Sequence, residues 1–335
     1  ARGDGASWYV DPAWNGDDSL YLSYLGEDLP DAEKHLVEPE LDELDGTHSA
    51  APRAGETEQG APVIHRTYRL ALITDQSYAR YFGTENVIFE KVTLMNRVNQ
   101  IYNDDLAIRL DLVDGTDQLN FATDELAYGA DGPCGPTGCF APNQFANGCS
   151  GSLLNRNLFA ASQVIGAENY DIGHVMLGIN GGGVAGLGVV GGNGKARGCT
   201  GLPQPEGDFM AIDYVAHEMG HQFGGNHTFN GNQLNCGGNK AAPAVEPGSG
   251  SSVMAYAGIC ATDDLQPHTD PYFSFATQDE VFAYVEGGPA SLNEVQAVGL
   301  RNFDGTDSFT LTFDGIATVP IVRGTNYTAA GVKAA

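Results

Sequence analysis

Residues 217–227 read HEMGHQFGGNH. Positions i and i+4 of an α-helix lie on one face, so His217 and His221 can present their imidazoles to a single metal ion. Glu218 lies beside them, where its carboxylate can take a proton from water. The first half of this stretch therefore predicts a helix that carries two metal ligands and a general base.

The second half of the stretch predicts a third ligand. Gly224 tolerates the positive φ that a helix end requires before the chain turns back. This turn would bring His227 to the same ion as the two helical histidines. Three neutral imidazoles leave one coordination position open, which is typical of catalytic rather than structural zinc sites.

A second element follows further along the chain. Residues 251–258 read SSVMAYAG and predict a tight turn. Met254 would provide a soft, apolar floor under the imidazoles. Tyr256 follows two residues later, close enough in sequence to face the same site.

Together, the two elements resemble those of the metzincin zinc endopeptidases. Within that group, the sequence is similar to the reprolysin or adamalysin (ADAM-like) family, in a bacterial-type secreted form, over roughly residues 66–287. The resemblance implies a catalytic Zn²⁺ and the hydrolysis of protein or peptide substrates by a zinc-activated water. It assigns the roles by residue: zinc ligands His217, His221 and His227, general base Glu218, and Met-turn residue Met254.

Three residues near the motif bear on the family assignment and on the ligand set. Typical adamalysins carry Asp directly after the third histidine, whereas this chain has Thr228. Tyr256 resembles the astacin and serralysin pattern, which implies a role as a further zinc ligand or in stabilising the oxyanion; the alternative is a Tyr that packs under the turn. Glu246 could be a distant carboxylate ligand, but it lies in a loop rich in Pro and Gly, and His227 already fills that role.

A glycine-rich stretch precedes the motif. Residues 181–192 read GGGVAGLGVVGG and predict an exposed edge strand over 184–190, entered by a tight turn. The resemblance implies that this strand binds an extended substrate by β-augmentation. The candidate substrate-binding residues are Val184, Ala185, Gly186, Leu187 and Gly188. A GxGxxG match in this stretch is not followed by a helix, so dinucleotide binding is set aside.

The order of elements predicts the fold class. Alternating or apolar runs predict strands at 66–74, 107–113, 171–178 and 309–313, and helical spacing predicts helices at 84–102, 153–165, 209–223 and 277–285. Thr84 and Thr277 are the predicted N-caps. This order predicts an α/β (α+β) fold with a mixed, largely parallel sheet. The resemblance implies a twisted sheet of five strands, with an active-site helix and a Met-turn.

Composition divides the chain into three regions. Residues 1–62 are rich in Asp, Glu, Gly and Pro and predict an N-terminal extension, with a strand pair at 8–25 and a linker at 28–60. The extension resembles the end of a propeptide. Residues 63–288 form the predicted catalytic domain, and 289–335 are the expected start of a β-rich module.

Charge and cysteine content limit the possible partners and the cellular location of the protein. The formal net charge of −27 argues against nucleic acid, because a phosphate backbone requires a basic face. No apolar run approaches the roughly 18 residues that span a bilayer. Six cysteines in an acidic chain favour three disulfides and a secreted, extracellular protein. We expect a monomer.

Several alternatives stay open at this level. Cys236 and Cys260 bracket the predicted Met-turn and are the favoured pair; Cys199 would then pair with Cys134, Cys139 or Cys149. The Asp-rich stretches 111–117 and 301–307 could bind Ca²⁺, although solvated turns are favoured. The alternatives to an active protease are a latent zymogen of the same enzyme and an inactive binding module with this fold.

Overall fold

The structure is a computed structural model that describes residues 8–14, 17–25, 64–287, 304–313, 316–328 and 331–332. The chain divides into two compact units, Ala1–Ala297 and Val298–Ala335. The predicted linker at 28–60 and the predicted boundaries at 62/63 and 288/289 lie outside the described residues.

The larger unit begins with a β-hairpin. Its strands are β1 (Trp8–Trp14) and β2 (Asp17–Leu25), which pair antiparallel and confirm the predicted strand pair. The register shifts between Pro12 and Trp14. Proline has no N–H to donate, so an irregularity beside Pro12 is expected.

A five-stranded mixed sheet forms the centre of the larger unit. Its strands are β3 (Arg66–Thr74), β4 (Ile108–Leu112), β5 (Ile172–Leu177), β6 (Gly182–Ala185) and β7 (Gly198–Gly201). The strand order is β4-β3-β5-β7-β6. Neighbouring strands are parallel except for β6, which runs antiparallel to β7 at the edge. The predicted fold class is therefore confirmed.

Helices surround this sheet in the described part of the larger unit. They are α1 (Gln76–Phe82), α2 (Val87–Leu106), α3 (Asp124–Tyr128), α4 (Pro142–Ala146), α5 (Gly151–Val164), α6 (Gly207–Met210), α7 (His217–Gln222) and α8 (Phe275–Gly287). Between α6 and α7 the chain stays helical, with a π-helical segment at Ala211–Ala216. The predicted active-site helix at 209–223 is thus present but not uniformly α-helical.

Two apolar cores lie against the sheet. Side chains alternate along a strand, so Leu70 and Leu72 of β3 enter one core and Ala71 and Ile73 enter the other. The first core contains the buried faces of α2 and α7, and the second contains that of α5. The sheet therefore separates α2 and α7 from α5.

Three helix starts differ from the sequence-based expectation. Helix α1 was not predicted, although Asp75 is a good N-cap and accepts a hydrogen bond from Tyr78 N at 3.0 Å. Thr84 is not the cap of α2: it lies in the turn that separates the two helices, and Asn86 is the N-cap. Thr277 is not the cap of α8, because the helix begins at Phe275 and Thr277 N donates to Ser274 Oγ.

Three disulfides join all six cysteines. They connect Cys134 to Cys139, Cys149 to Cys199, and Cys236 to Cys260. The last is the pair favoured by sequence, and Cys149 is one of the three partners considered for Cys199.

The smaller unit contains short antiparallel pairs in its described residues. Strand β8 (Ser308–Phe309) pairs with β11 (Ile321–Val322), and β9 (Thr312–Phe313) pairs with β10 (Ile316–Ala317). The predicted strand at 309–313 is wrong as one element, because residues 310–311 interrupt it. A search of the described helices finds none with the length and apolarity to cross a bilayer.

Candidate metal centre

Helix α7 presents two imidazoles from successive turns. The ring centroids of His217 and His221 are 4.8 Å apart, and both residues are buried. The helix is held against the sheet by its apolar neighbours, since Met219 and Phe223 lie in the core that includes β3 and α2. The i, i+4 spacing of the sequence therefore becomes a fixed pair of imidazoles.

A tight turn after α7 brings a third imidazole to the pair. Gly224 has φ +93, which is the left-handed backbone expected from the sequence, and Gly225 N donates to Gly220 O at 2.9 Å. His227 Nε2 lies 3.3 Å from His217 Nε2 and 3.0 Å from His221 Nε2. The three side chains form the only metal-ligand cluster found among the described residues.

The outer nitrogens of two rings are fixed by backbone carbonyls. His217 Nδ1 lies 2.6 Å from Val253 O, and His221 Nδ1 lies 2.7 Å from Gly225 O. A carbonyl only accepts, so each Nδ1 carries the proton and each Nε2 directs a lone pair toward the centre of the cluster. Such lone pairs repel one another unless a cation lies between them.

The spacing of the nitrogens fits zinc. Tetrahedral Zn²⁺ with Zn–N distances of about 2.1 Å places its ligand nitrogens roughly 3.4 Å apart. The observed Nε2 separation of 3.3 Å is close to this value, and that of 3.0 Å is somewhat shorter. The hydrogen-bonded Nδ1 atoms are also typical of metal-binding histidines.

The predicted Met-turn packs against the segments that carry the histidines. Met254 is fully buried, and its carbonyl accepts a hydrogen bond from Thr228 N at 3.1 Å. Its sulfur packs against Gly220, where a Cβ would collide with it. The turn therefore contacts both the helix and the segment that carries the third histidine.

The family model for M12B reprolysin-like metallopeptidases matches residues 84–276, which is more than half of the chain. The chain belongs to this family. No curated protein matches the chain at a significant level. The family resemblance is thus confirmed, and the protein is a zinc metalloendopeptidase that acts on protein or peptide substrates.

In this reprolysin-like metallopeptidase, the predicted general base lies against the edge strand of the sheet. Glu218 is fully buried, and its carboxylate packs against Gly183 of β6. A Cβ at residue 183 would overlap this carboxylate. The glycine-rich composition of the edge strand therefore has a steric reason that the sequence alone could not supply.

The edge strand is shorter than predicted, and the expectation that it is exposed is wrong, because every residue of β6 is buried. Val184 and Ala185 lie in β6, but Gly186, Leu187 and Gly188 do not. The chain leaves the sheet because Gly188 N donates to His221 O and Val189 N donates to Gln222 O, both at 2.9 Å. Gly188 and Val189 thus cap the C-terminal end of α7 instead of extending β6.

Tyr256 is placed beside the metal centre of the metallopeptidase. Its ring centroid lies 4.5 Å from that of His227 and 4.5 Å from that of Phe229, and the residue is 5% exposed. Its ring centroid is also 5.8 Å from that of His217, so Tyr256 lies beside two of the three histidines. Phe229, which stacks on Tyr256, is a neighbour that sequence reasoning missed.

A buried polar network supports α7 from the sheet. His174 of β5 lies 2.9 Å from Gln222 Oε1 through Nδ1 and 2.9 Å from Thr200 Oγ1 through Nε2. Gln222 Nε2 donates to Gly173 O, so Gln222 Oε1 accepts from His174. Burial lowers the pKa of His174 to about 4, although the bond to Gln222 opposes this effect. His174 is therefore a neutral histidine of the core, and it is a neighbour of α7.

Two acidic side chains hold the segment that carries His227. Glu280 of α8 accepts hydrogen bonds from Asn226 N at 2.8 Å and Asn226 Nδ2 at 2.9 Å. Glu246 accepts one from Thr228 Oγ1. Neither contact could be found from sequence spacing, because each partner is many residues away.

No acidic cluster among the described residues forms a second metal site, so the suggested Ca²⁺ sites are not supported.

Proposed function

We propose that the chain is a secreted endopeptidase in which His217, His221 and His227 bind the catalytic Zn²⁺ and Glu218 is the general base. The observation that supports it most is the convergence of three imidazoles whose ligand atoms all lie within 4.8 Å of one another. A bound Zn²⁺ would lower the pKa of water to about 7 and polarise the scissile carbonyl.

Glu218 supplies the proton transfer in this proposal. It accepts a proton from the attacking water and delivers it to the leaving amine, as general bases in such sites do. Its position directly after His217 on α7 holds it beside the histidines, and its packing against Gly183 restricts its rotamers. The carboxylate therefore needs little reorganisation during the reaction.

The edge strand supplies substrate binding in this proposal. Strand β6 pairs with β7 on one side only, so a peptide can add to its other side in extended form. Val184 and Ala185 would provide the backbone hydrogen bonds, and the carboxylate of Glu218 lies against the same strand at Gly183. The hydroxyl of Tyr256 would donate a hydrogen bond to the oxyanion that forms from the scissile carbonyl.

The redox state of the cysteines supports secretion. All six are paired in disulfides, which persist in oxidising compartments and are rare in the cytosol. The bacterial-type origin and the monomeric state stay expectations of the sequence.

A latent form of the same enzyme is the second candidate. The residues that must meet substrate are buried: Glu218 is 0% exposed, His217 is 1% exposed, and every residue of β6 is buried. This burial supports a latent form, and we propose residues 1–62, which resemble the end of a propeptide by sequence, as the inhibitory segment. Removal of that segment should then raise kcat/KM for peptide substrates.

The test compares the full chain with Glu218→Gln on a quenched fluorescent peptide library, with bound zinc measured in each. Activity in the parent, and its loss in the variant with zinc retained, would support the proposal. Zinc bound without activity in either, followed by activity after removal of residues 1–62, would identify the latent form. A parent that binds zinc but stays inactive after this removal would point to a binding module.

A further inference from the structure

The geometry points to Glu246 as a positioning residue for the metal centre, through hydrogen bonds that join the segment carrying the third histidine to the Met-turn. This inference rests on the proposed zinc site. By sequence alone, the Glu246 carboxylate is a candidate only for a distant metal ligand.

The Glu246 carboxylate accepts hydrogen bonds from two segments. Its Oε1 accepts from Ser251 N and Ser252 N, each at 3.1 Å. Its Oε2 accepts from Ser252 Oγ at 2.5 Å and from Thr228 Oγ1. Because all four donors bind one carboxylate, the position of residues 251–252 is tied to that of Thr228.

The main chain of Glu246 adds to this connection. Glu246 N donates to Thr228 O at 2.8 Å, and Asn230 N donates to Glu246 O at 2.9 Å. Gly250, with φ +65, lets the chain wrap closely around the side chain, since a Cβ there would lie 3.0 Å from Glu246 Cβ. The residue is therefore fixed on both sides before it binds the Met-turn.

Each end of this connection leads to a different histidine. Thr228 directly follows His227, so its bonds to Glu246 and to Met254 O fix the backbone at the third imidazole. Ser252 directly precedes Val253, whose carbonyl accepts from His217 Nδ1 at 2.6 Å. One carboxylate thus acts on two of the three imidazoles without touching either.

This arrangement also explains what Glu246 does not do. Its two oxygens are occupied by four donors, and it is not part of the metal-ligand cluster among the described residues. Outer partners of metal ligands typically change metal affinity by about 10–100-fold when they are removed. We therefore expect an effect on zinc binding of that size.

The test uses the full chain as parent, Glu246→Ala, Glu246→Gln and Asp263→Ala. Asp263 is the matched control, because its carboxylate also accepts a backbone N–H, from Asn232 at 2.8 Å, but bonds to neither Thr228 nor the Met-turn. Zinc affinity is measured by competition with a chromophoric chelator. The absorption spectrum of the Co²⁺-loaded proteins reports ligand geometry, and thermal unfolding of the metal-free proteins reports folding.

Glu246→Ala should weaken zinc binding by about 10–100-fold and shift the Co²⁺ spectrum. The zinc affinity of Glu246→Gln should lie between those of Glu246→Ala and the parent. The zinc affinity and Co²⁺ spectrum of Asp263→Ala should match those of the parent. A folded Glu246→Ala protein with parent affinity and an unchanged spectrum would overturn the inference, since a purely structural role lowers only the unfolding temperature. If Glu246→Ala fails to fold, Glu246→Gln and Thr228→Val decide in the same way. A parent that binds no zinc would instead overturn the proposed function itself.

Discussion

Gly183 of the edge strand lies directly against the carboxylate of Glu218, so closely that a Cβ at residue 183 would stand 2.6 Å from Glu218 Cδ. Gly183 does not have a positive φ, so close approach and not backbone conformation requires glycine here. The strand proposed to bind substrate and the proposed general base are therefore in mutual contact. A substitution in the strand should therefore displace the general base, and a substitution of the base should alter the strand.

Gly183→Ala should displace the Glu218 carboxylate and lower kcat by about 10²–10⁴-fold, the usual contribution of a general base. Bound zinc should stay at the parent level, because the three histidines are untouched. Steady-state kinetics with zinc quantification checks this. Gly237→Ala is the control, since the nearest atom to its Cβ would be 3.5 Å away. Parent kcat in Gly183→Ala would contradict the role given to Glu218.

Gly220→Ala should destabilise the protein by about 1–3 kcal/mol, because the new methyl group overpacks the sulfur of Met254. Met254→Ala should cost less in that background than in the parent, since it removes the atom that collides. Urea unfolding of the two single variants and the double variant measures this coupling. Equal costs of Met254→Ala in both backgrounds would show that the two residues do not interact.

Tyr256→Phe should lower kcat by about 10²–10³-fold with unchanged zinc affinity, if its hydroxyl stabilises the oxyanion. The ring packing on His227 and Phe229 is kept in this variant, so stability should change little. Tyr128→Phe, remote from the histidines, is the control for loss of a hydroxyl. A kcat equal to that of the parent would leave Tyr256 with a packing role only.

The buried His174 should make stability depend on pH. Its folded pKa of about 4 lies below the unfolded value of about 6.5, so between these values the unfolded chain binds a proton that the native protein does not. The free energy of unfolding should therefore fall as pH drops from 6.5 to 4, by about 3 kcal/mol at most from this group.

Urea unfolding of the zinc-free parent and of His174→Gln, at several pH values, checks this dependence. Glutamine can still donate a hydrogen bond toward Gln222 but does not titrate, so the variant should be less stable at pH 7 and less sensitive to acid. Identical pH profiles would mean that His174 is not the group responsible.

Loss of the Cys236–Cys260 disulfide should cost about 3 kcal/mol, because it closes a loop with a sequence separation of 24 that contains the Met-turn. Loss of Cys134–Cys139 should cost less, since its separation is 5. Urea unfolding of the two double-alanine variants gives both values. The reverse order would show that strain or residual structure outweighs loop entropy here.

The metal centre was largely predictable because its information is local. Helical spacing alone relates His217, Glu218 and His221. The glycine at 224 indicates the turn that places His227 beside them. The sheet was also predictable, since β3 and β5 are bounded apolar runs that match the predicted spans within a residue or two.

What the sequence could not show depends on contacts between distant segments. Strand β6 ends at Ala185 because the following backbone bonds to the end of α7, and no alternation pattern encodes that choice. Glu246 likewise lies 18 positions from Thr228 along the chain, and Gly183 lies 35 positions from Glu218. Thr84 was a plausible cap by residue type, but Asn86 starts the helix once α1 occupies the preceding residues.

The π-helical segment at Ala211–Ala216 changes the direction in which the active-site helix presents its side chains. Such a segment holds more residues per turn than an α-helix, so the face presented after it is rotated relative to the face before it. Asp208, ahead of the segment, pairs with Arg97 of α2, while His217, behind it, bonds to Val253 O of the Met-turn. The wider turn therefore sets a different angle between the salt bridge and the histidines than a regular α-helix of the same length would.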